Sequence, residues 1–103
     1  MDSVFHSFEG FQWDEGNSNK NLIRHRVWNW ECEQVFFNQP LFVLDDPEHS
    51  LVEKRWAAFG QTDSGRLLII IFTQRTNLLR VISARDMNHK EREYYEKFKN
   101  ENP

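Results

Sequence analysis

The chain has 103 residues, of which 39% are hydrophobic and 28% charged, and its formal net charge is −3. This length and composition predict a single domain over residues 1–103 and exclude a disordered chain. The single cysteine excludes an internal disulfide, and the longest apolar run, residues 67–72, is too short to cross a bilayer. The first residues lack the pattern of a signal peptide. We therefore expect a cytoplasmic protein without a membrane segment.

Charge is distributed unevenly along the chain. Residues 1–49 hold three Lys and Arg against nine Asp and Glu, whereas residues 50–103 hold ten Lys and Arg against seven Asp and Glu. The net charge therefore does not indicate a nucleic-acid-binding protein, but the basic second half leaves room for a local phosphate site.

The first half of the chain predicts one strand and two helices. Residues 8–13 are a candidate opening strand, and Asp14 stands where it would cap a surface helix over about 14–25. Asn29 is the candidate cap of a second helix that runs to about Asn38, ahead of Pro40.

The second half predicts a meander that ends in a helix. The expected strands are 41–46, 53–61, 66–73 and 78–84, with turns at 62–65 and 74–77. Connections this short join antiparallel neighbours. Asn88 and Glu91 have the spacing of a reciprocal capping pair for a helix over about 89–99. The predicted class is α+β: two N-terminal helices, an antiparallel sheet meander and a C-terminal helix.

Common cofactor and metal motifs are missing from the sequence. One cysteine and four scattered histidines do not form a zinc-binding pattern, and there is neither a glycine-rich phosphate loop nor an HExxH motif. No sequence motif indicates that the Ser, His and Asp residues form a nucleophilic triad. We therefore expect no cofactor and no metal site.

Arginines on the last two predicted strands are the candidates for binding phosphate. On a regular strand Arg80 shares its face with Ile82 and Ala84, while Ser83 lies on the other face. A lone charge among apolar residues is costly unless it is paired or lies at an open surface.

Arg66 and Arg85 are expected to meet at one end of the sheet. Arg66 begins one strand and Arg85 ends its neighbour, so the short turn between them brings both guanidinium groups into one register. Such a pair suits a phosphate group. The alternative is that each arginine pairs with a carboxylate, such as Asp86 or Glu53.

Histidines and tryptophans are further candidates, each with a structural alternative. His25 can transfer protons near neutral pH, or it can simply stabilise the end of a helix. His49 shares a loop with Asp45 and Asp46, where it joins a site or is solvated. Trp28, Trp30 and Trp56 either stack on bases or pack in the core.

Five segments in order resemble the BrnT family of ribonuclease toxins, which act in BrnT/BrnA type II toxin–antitoxin modules. They are FQWD (11–14), NLIRHRV (21–27), ECEQVFFNQPLFVLDDPEHS (31–50), RWAAFGQTDSGRLLIIIFT (55–73) and LRVISARDMNHKEREYYE (79–96). The resemblance implies a RelE-like fold and metal-independent RNA cleavage, in which the ribose 2′-hydroxyl attacks the adjacent phosphate and fixed cations stabilise the transition state. It also implies inhibition of translation.

The resemblance also implies site residues and partners. The candidate catalytic residues are Arg80 and Arg85 for phosphate charge, His25 for proton transfer, and Asp46 and Tyr95 as further acid–base groups. The candidate RNA-binding residues are Arg24, Arg55, Arg66, Ser83 and Arg92. The implied partners are RNA, a BrnA-like antitoxin in a hetero-oligomer, and operator DNA bound through that antitoxin.

Two positions depart from the family pattern. Asn17 stands where the family usually has lysine, and Arg26 stands where it usually has glycine after the histidine. A helix end that requires positive φ at Arg26 would be strained. These departures leave open a second hypothesis, a non-catalytic nucleic-acid-binding or protein-interaction module on the same fold.

Overall fold

The chain folds into one sheet and three helices in the computed structural model, which describes residues 8–101 except for the side chain of His49. The strands are β1 (Gly10–Phe11), β2 (Phe42–Asp45), β3 (Trp56–Gln61), β4 (Leu67–Arg75) and β5 (Leu78–Asp86). The helices are α1 (Lys20–His25), α2 (Asn29–Phe37) and α3 (His89–Glu101), with a 3₁₀ helix at Pro47–His49. The predicted α+β class is confirmed, and the arrangement agrees with a RelE-like fold.

The five strands lie in the order β1-β5-β4-β3-β2. The ladders from β2 to β5 are antiparallel, which confirms the meander, and β1 runs parallel to β5 at the sheet edge. The turn between β4 and β5 is tighter than predicted, because β4 continues to Arg75 and β5 resumes at Leu78. Thr76 closes that turn with a φ of 56°.

The sheet has two apolar faces, each covered by different helices. On face A, Leu68, Ile70 and Phe72 pack with Val27 and Val35 from the α1–α2 region. On face B, the buried or half-buried residues pack with the C-terminal helix; they are Phe42, Ala57, Phe59, Leu67, Ile69 and Ile71, together with Met87, Tyr95 and Phe98. The run of residues 67–72 is apolar throughout because β4 is central and contributes to both cores.

Helix α1 is shorter than predicted, because Asn19 interrupts the segment. Asn19 has a φ of 64°, and residues 14–19 form turns ahead of the six-residue helix. The carboxylate of Asp14 accepts the N–H of Gly16 at 2.8 Å instead of capping a helix. Short polar side chains make such local bonds in turns, and this competes with helix formation.

The N-cap of helix α2 lies one residue before the predicted cap, Asn29, and helix α3 starts as predicted. Trp28 occupies the N-cap position of α2 and donates its N–H to Glu31 Oε1 at 3.0 Å. At α3, Glu91 N–H donates to Asn88 Oδ1 at 2.9 Å, and Asn88 N–H donates to Glu91 Oε1 at 2.8 Å. The reciprocal capping pair is thus confirmed.

Candidate active site

A β-bulge in β5 decides which arginines share a face of the sheet. Ile71 of β4 pairs with Ser83 while the next residue, Phe72, pairs with Val81, so Ile82 is the extra residue. The bulge reverses the alternation of side chains along the rest of the strand.

The bulge brings Arg80, Ser83 and Arg85 to face B. They lie opposite Thr73, Ile71 and Ile69, respectively. Directly opposite residues point to the same face, and Ile69 and Ile71 belong to the face B core. The prediction that Arg80 shares a face with Ala84 is therefore wrong, because it assumed a regular strand.

Arg85 forms a two-bond ion pair and still has donors to spare. Its Nη1 and Nη2 donate to the two carboxylate oxygens of Glu91 at 2.7 and 2.9 Å, and Nη1 also donates to the Asp86 carbonyl at 3.2 Å. The hydrogen bond from Arg85 holds the pKa of Glu91 below its ordinary value. A guanidinium carries five N–H donors, and the Nε edge of Arg85 makes no hydrogen bond within residues 8–101. The Arg85 side chain is 40% exposed, so that edge is accessible.

Arg66 uses all of its donors within the protein. Nε and Nη2 donate to Asp86 at 2.7 and 3.0 Å, and Nη1 donates to Glu31 Oε1 at 3.1 Å. The remaining N–H groups reach the carbonyls of Arg26 at 2.8 Å and His25 at 3.2 Å. Arg66 therefore satisfies the last carbonyls of α1, which a helix leaves without partners of its own.

The predicted fork of Arg66 and Arg85 is not formed. Asp86 pairs with Leu68 of the face A core, and Arg66 reaches Asp86 and the end of α1 on that face. Arg85 lies on face B against Glu91. The sequence-based register placed both groups at the same end correctly, but it ignored which face each side chain takes.

Arg80 lies further along β5 and is mostly covered. Its Nη1 and Nη2 donate to the carboxylate of Asp14 at 2.8 and 3.1 Å, and Nη1 also donates to Gln12 Oε1 at 2.9 Å. The Arg80 side chain is only 11% exposed. At roughly 3.3 Å per residue along a strand, Arg80 lies on the order of 15 Å from Arg85. The carboxylate pairing left open by the sequence is observed for Arg66, Arg80 and Arg85.

Several candidate residues converge at the end of β5, where α1 ends and α3 begins. The basic rim is defined here as His25, Arg66, Arg85, Asp86, Glu91 and Arg92. The pKa of Asp86 lies below its ordinary value, first because of the hydrogen bond from Arg66, with smaller electrostatic contributions from His25 and Arg92. His25 is half-buried and Arg92 is exposed.

Two of the candidate arginines at this end form no hydrogen bond or ion pair through their side chains within the described part of the chain. Arg24 precedes His25 on α1, and Arg92 lies on the first turns of α3; both are exposed. Neither donates to a carboxylate among residues 8–101. Both guanidinium groups are therefore available to an incoming anion.

The candidates at the opposite side of the sheet lie apart from the rim. Arg55 Nη2 donates to Glu53 at 3.3 Å just before β3, and its Nε is buried without a partner among the described residues. Asp46 follows β2, and its N–H donates to the Arg55 carbonyl at 3.1 Å. Because β4 and β3 separate β5 from β2, Asp46 lies on the order of 14 Å from the strand of Arg85. The side chain of His49 lies outside the described residues.

Tyr95 belongs to the face B core. It is fully buried, and its hydroxyl donates to the Pro40 carbonyl at 2.6 Å. Burial raises the pKa of Tyr95 to about 12. This position gives Tyr95 a packing role in the face B core.

Sequence reasoning missed the residues that hold the site together. Asn17 and Asn21 are 2% and 3% exposed, and both bond to the backbone of β5. Their position in a polar, helix-breaking segment gave no sign of burial. Glu91 was identified as a helix cap, but its pairing with Arg85 depends on the bulge.

Other features of the described residues do not add a cofactor site. No group of three His, Cys, Asp or Glu side chains within residues 8–101 is arranged to hold a metal ion. Among the helices of that same part of the chain, none is long and apolar enough to cross a membrane. A shallow groove of about 570 Å³ runs along α3, and Arg92 is among its lining residues.

Comparison with known proteins identifies a family. The sequence model of the family described as "Ribonuclease toxin, BrnT, of type II toxin-antitoxin system" matches residues 13–91. The matched span contains every residue of the basic rim except Arg92. A search of curated proteins gave no match.

Proposed function

The chain belongs to the BrnT family of ribonuclease toxins of type II toxin–antitoxin systems, and we propose that it cleaves RNA at the basic rim without using a metal ion. The ribose 2′-hydroxyl attacks the adjacent phosphate, so the protein has to orient the RNA, move a proton and stabilise the growing negative charge. The meeting of α1 and β5 at the basic rim, where Arg66 joins the Asp86 carboxylate to the His25 carbonyl and Arg85 donates to the Asp86 carbonyl, is the observation that carries this proposal.

Arg85 is the proposed stabiliser of the transition-state charge. Its pairing with Glu91 fixes the guanidinium in place, and its free Nε edge provides parallel N–H donors for a phosphate. A cation that is already oriented does not have to reorganise during the reaction. Arg24 and Arg92 are the proposed contacts to flanking phosphates, and Ser83 lies beside Arg85 on face B.

His25 is the proposed proton-transfer group. It ends α1 at the basic rim, and Arg66 donates to its backbone carbonyl, which holds this end of the helix against Asp86. An imidazole gains or loses a proton near neutral pH, as general acid–base catalysis requires. Arg66 and Asp86 are then positioning residues, since the donors of Arg66 are used up within the protein.

Arg80 is proposed to act further along the same face. It holds the Asp14 turn against β5, and its Nε edge also makes no hydrogen bond within residues 8–101. Because the side chain is mostly covered, Arg80 reaches a phosphate only if the RNA extends along face B beyond Ser83. We propose Arg85 as the main charge-stabilising residue and Arg80 as a supporting one.

An RNA cleavage assay tests the activity directly. Purified protein is incubated with an RNA oligonucleotide in excess EDTA, next to the same oligonucleotide with 2′-deoxy sugars. We expect the RNA alone to be cleaved, with 2′,3′-cyclic phosphate ends, because the nucleophile is the 2′-hydroxyl. Intact RNA, or equal cleavage of the deoxy substrate, would contradict the proposal.

A non-catalytic RNA-binding module is the second candidate, since the strand arginines are paired with carboxylates. It predicts affinity for RNA that weakens as salt rises, without cleavage. A plain scaffold predicts no salt-dependent RNA affinity. Binding measured at several salt concentrations, together with the cleavage assay, separates these functions.

We further propose that the protein cleaves messenger RNA in the cytoplasm and thereby inhibits translation. A BrnA-like antitoxin neutralises the protein by forming a hetero-oligomer with it. This hetero-oligomer binds operator DNA through the antitoxin. Four apolar side chains of the α1–α2 region support a protein contact there, since they are about half exposed or more; they are Ile23, Trp28, Trp30 and Phe37. Co-purification tests this surface: Trp30→Ala with Phe37→Ala should reduce capture of the antitoxin, whereas Leu51→Ala, in an exposed loop, should not.

A further inference from the structure

The bulge in β5 is held by two buried asparagines. β1 pairs with β5 only at Leu78 and Leu79, and the edge of β5 beyond that point has no neighbouring strand among the described residues. Backbone groups on a covered edge need other partners, because an unpaired buried N–H or C=O is costly. The asparagines supply those partners.

Asn17 and Asn21 bond to β5 on either side of the extra residue, Ile82. Asn17 Nδ2 donates to the Val81 carbonyl at 3.0 Å, and Asn21 Oδ1 accepts the Ala84 N–H at 3.0 Å. In a regular strand, residues 81 and 84 present their backbone groups to opposite edges. Both point toward the asparagines here only because one residue is inserted between them.

Asn17 is itself fixed by the preceding turn. Its Nδ2 also donates to the Gln12 carbonyl at 2.9 Å, and its Oδ1 accepts the Asp14 N–H at 2.9 Å. Asn21 Nδ2 is buried without a partner among the described residues. The hydrogen bond that stabilises this side chain is therefore the one that its Oδ1 accepts from the Ala84 N–H. One asparagine thus acts as donor to β5 and the other as acceptor.

We propose that Asn17 and Asn21 are positioning residues for the proposed ribonuclease reaction. They lock the bulge, and the bulge places Ser83 and Arg85 on face B, next to α3. Without the bulge, Arg85 would point to face A and lose Glu91 as a partner. This inference rests on the proposed function for its effect on cleavage, but the effect on the strand register is independent of that function.

Alanine variants at the two asparagines test the inference. In Asn17→Ala and Asn21→Ala we expect the cross-strand NMR contacts Phe72–Val81 and Ile70–Ala84 to be lost or doubled. We expect kcat for RNA cleavage to fall about tenfold to 100-fold with a smaller change in KM, since misplacing a catalytic group by about 1 Å has effects of that size.

Val35→Ala is the matched control for lost stability. Val35 is fully buried on α2 and packs in the same face A core, but it makes no hydrogen bond to β5. We expect this variant to lose stability while it keeps both the register and kcat. If the asparagine variants retain the register, or lose no more kcat than Val35→Ala, the inference is wrong.

An aspartate pair separates the two hydrogen-bonding roles. Asn21→Asp keeps an acceptor for the Ala84 N–H, whereas Asn17→Asp sets a carboxylate against the Gln12 and Val81 carbonyls. We expect the register and kcat to survive in the first variant and not in the second. Aspartate has the same shape as asparagine, so retention of the register and kcat in both variants would show that the asparagines only fill space.

If the variants fail to fold, a measurement on the unmodified protein still tests the inference. A scalar coupling through the hydrogen bond between the Ala84 amide nitrogen and the Asn21 side-chain carbonyl is expected, and its absence with an assigned Ala84 amide contradicts the inference. If the unmodified protein cleaves no RNA, the proposed function fails. The scalar coupling and the cross-strand contacts still test whether Asn17 and Asn21 hold the bulge.

Discussion

The arginines of the β4–β5 region differ mainly in how many N–H donors they have left. Arg66 has none, since carboxylates and the carbonyls that end α1 take all five. Arg85 keeps its Nε edge and is 40% exposed, and Arg80 keeps the same edge at 11% exposure. Sequence placed Arg80 at a strand position correctly and Arg85 at the end of that strand, whereas Arg66 lies just before β4 rather than at its start. The number of unused donors could not be predicted, because the partners come from distant segments.

At Tyr95, removing the hydroxyl distinguishes packing from acid–base catalysis. Tyr95→Phe deletes the hydrogen bond to the Pro40 carbonyl and leaves the ring in the core. We expect the free energy of unfolding in urea to fall by about 1–2 kcal/mol, because a buried acceptor loses its partner. The rate of RNA cleavage should be unchanged in this variant. A large loss of kcat with unchanged stability would return Tyr95 to the catalytic set.

At the scale of elements, regular periodicity was predictable and interruptions were not. The strands of the meander and the capping pair of α3 follow from local sequence, since alternation, turn residues and the Asn88–Glu91 spacing are all local. The short α1 reflects Asn19 and the local bonds of the Asp14 turn, and the bulge at Ile82 depends on tertiary contacts with Asn17 and Asn21. No pattern within 78–86 indicates an extra residue, because Val, Ile, Ser and Ala all fit either face.

The end of α1 carries strain that a glycine would relieve. Arg26 has φ 56° and ψ 40°, the left-handed region. A residue with a Cβ costs about 1–2 kcal/mol there, whereas glycine does not. We expect Arg26→Gly to raise the free energy of unfolding by roughly 0.5–1 kcal/mol, as measured in urea, since glycine also has a more flexible unfolded state.

Arg24→Gly provides the control for that substitution. Arg24 lies within α1 with helical geometry, so glycine there should lower the free energy of unfolding by about 0.5–1 kcal/mol. If both glycine variants are destabilised, Arg26 is not strained. If Arg26→Gly is stabilised as expected, the left-handed conformation of Arg26 is strained, and the hydrogen bond from Arg66 to the Arg26 carbonyl helps to hold it.

Across the whole molecule, ion pairs link the two ends of β5 to the surrounding segments. Arg80 ties the Asp14 turn to β5, Arg66 ties Asp86 to α2, and Arg85 ties α3 to the strand end. Sequence composition showed the excess of acidic residues in the first half, but it could not show that some of them neutralise the arginines of the second half.

These pairs predict that acid weakens the fold. The pKa values of Asp86 and Glu91 are lowered in the folded protein, chiefly by hydrogen bonds from Arg66 and Arg85. A carboxylate with a lowered folded pKa stabilises the fold above its unfolded pKa and loses that effect as the pH falls through the folded value. We expect the free energy of unfolding to decline below about pH 4, measured by urea denaturation across a pH series.

A glutamine variant tests whether Glu91 contributes to the loss of stability in acid. Glu91→Gln should show a shallower loss of stability in acid than the unmodified protein, because it has no carboxylate to protonate at this site. Glu15→Gln is the control, since Glu15 is exposed and makes no ion pair within residues 8–101. An identical acid profile for Glu91→Gln and the unmodified protein would remove this pair from the explanation.

Single-turnover RNA cleavage by Arg85→Ala and Arg75→Ala tests the central claim most directly. Each arginine makes a two-bond pair with a glutamate, but Arg75 pairs with Glu53, away from the basic rim. If Arg85 stabilises the transition state, its removal should slow cleavage about 100-fold or more, while Arg75→Ala stays within about twofold of the unmodified protein. Equal cleavage rates in the two variants would contradict the assignment of the reaction to the rim.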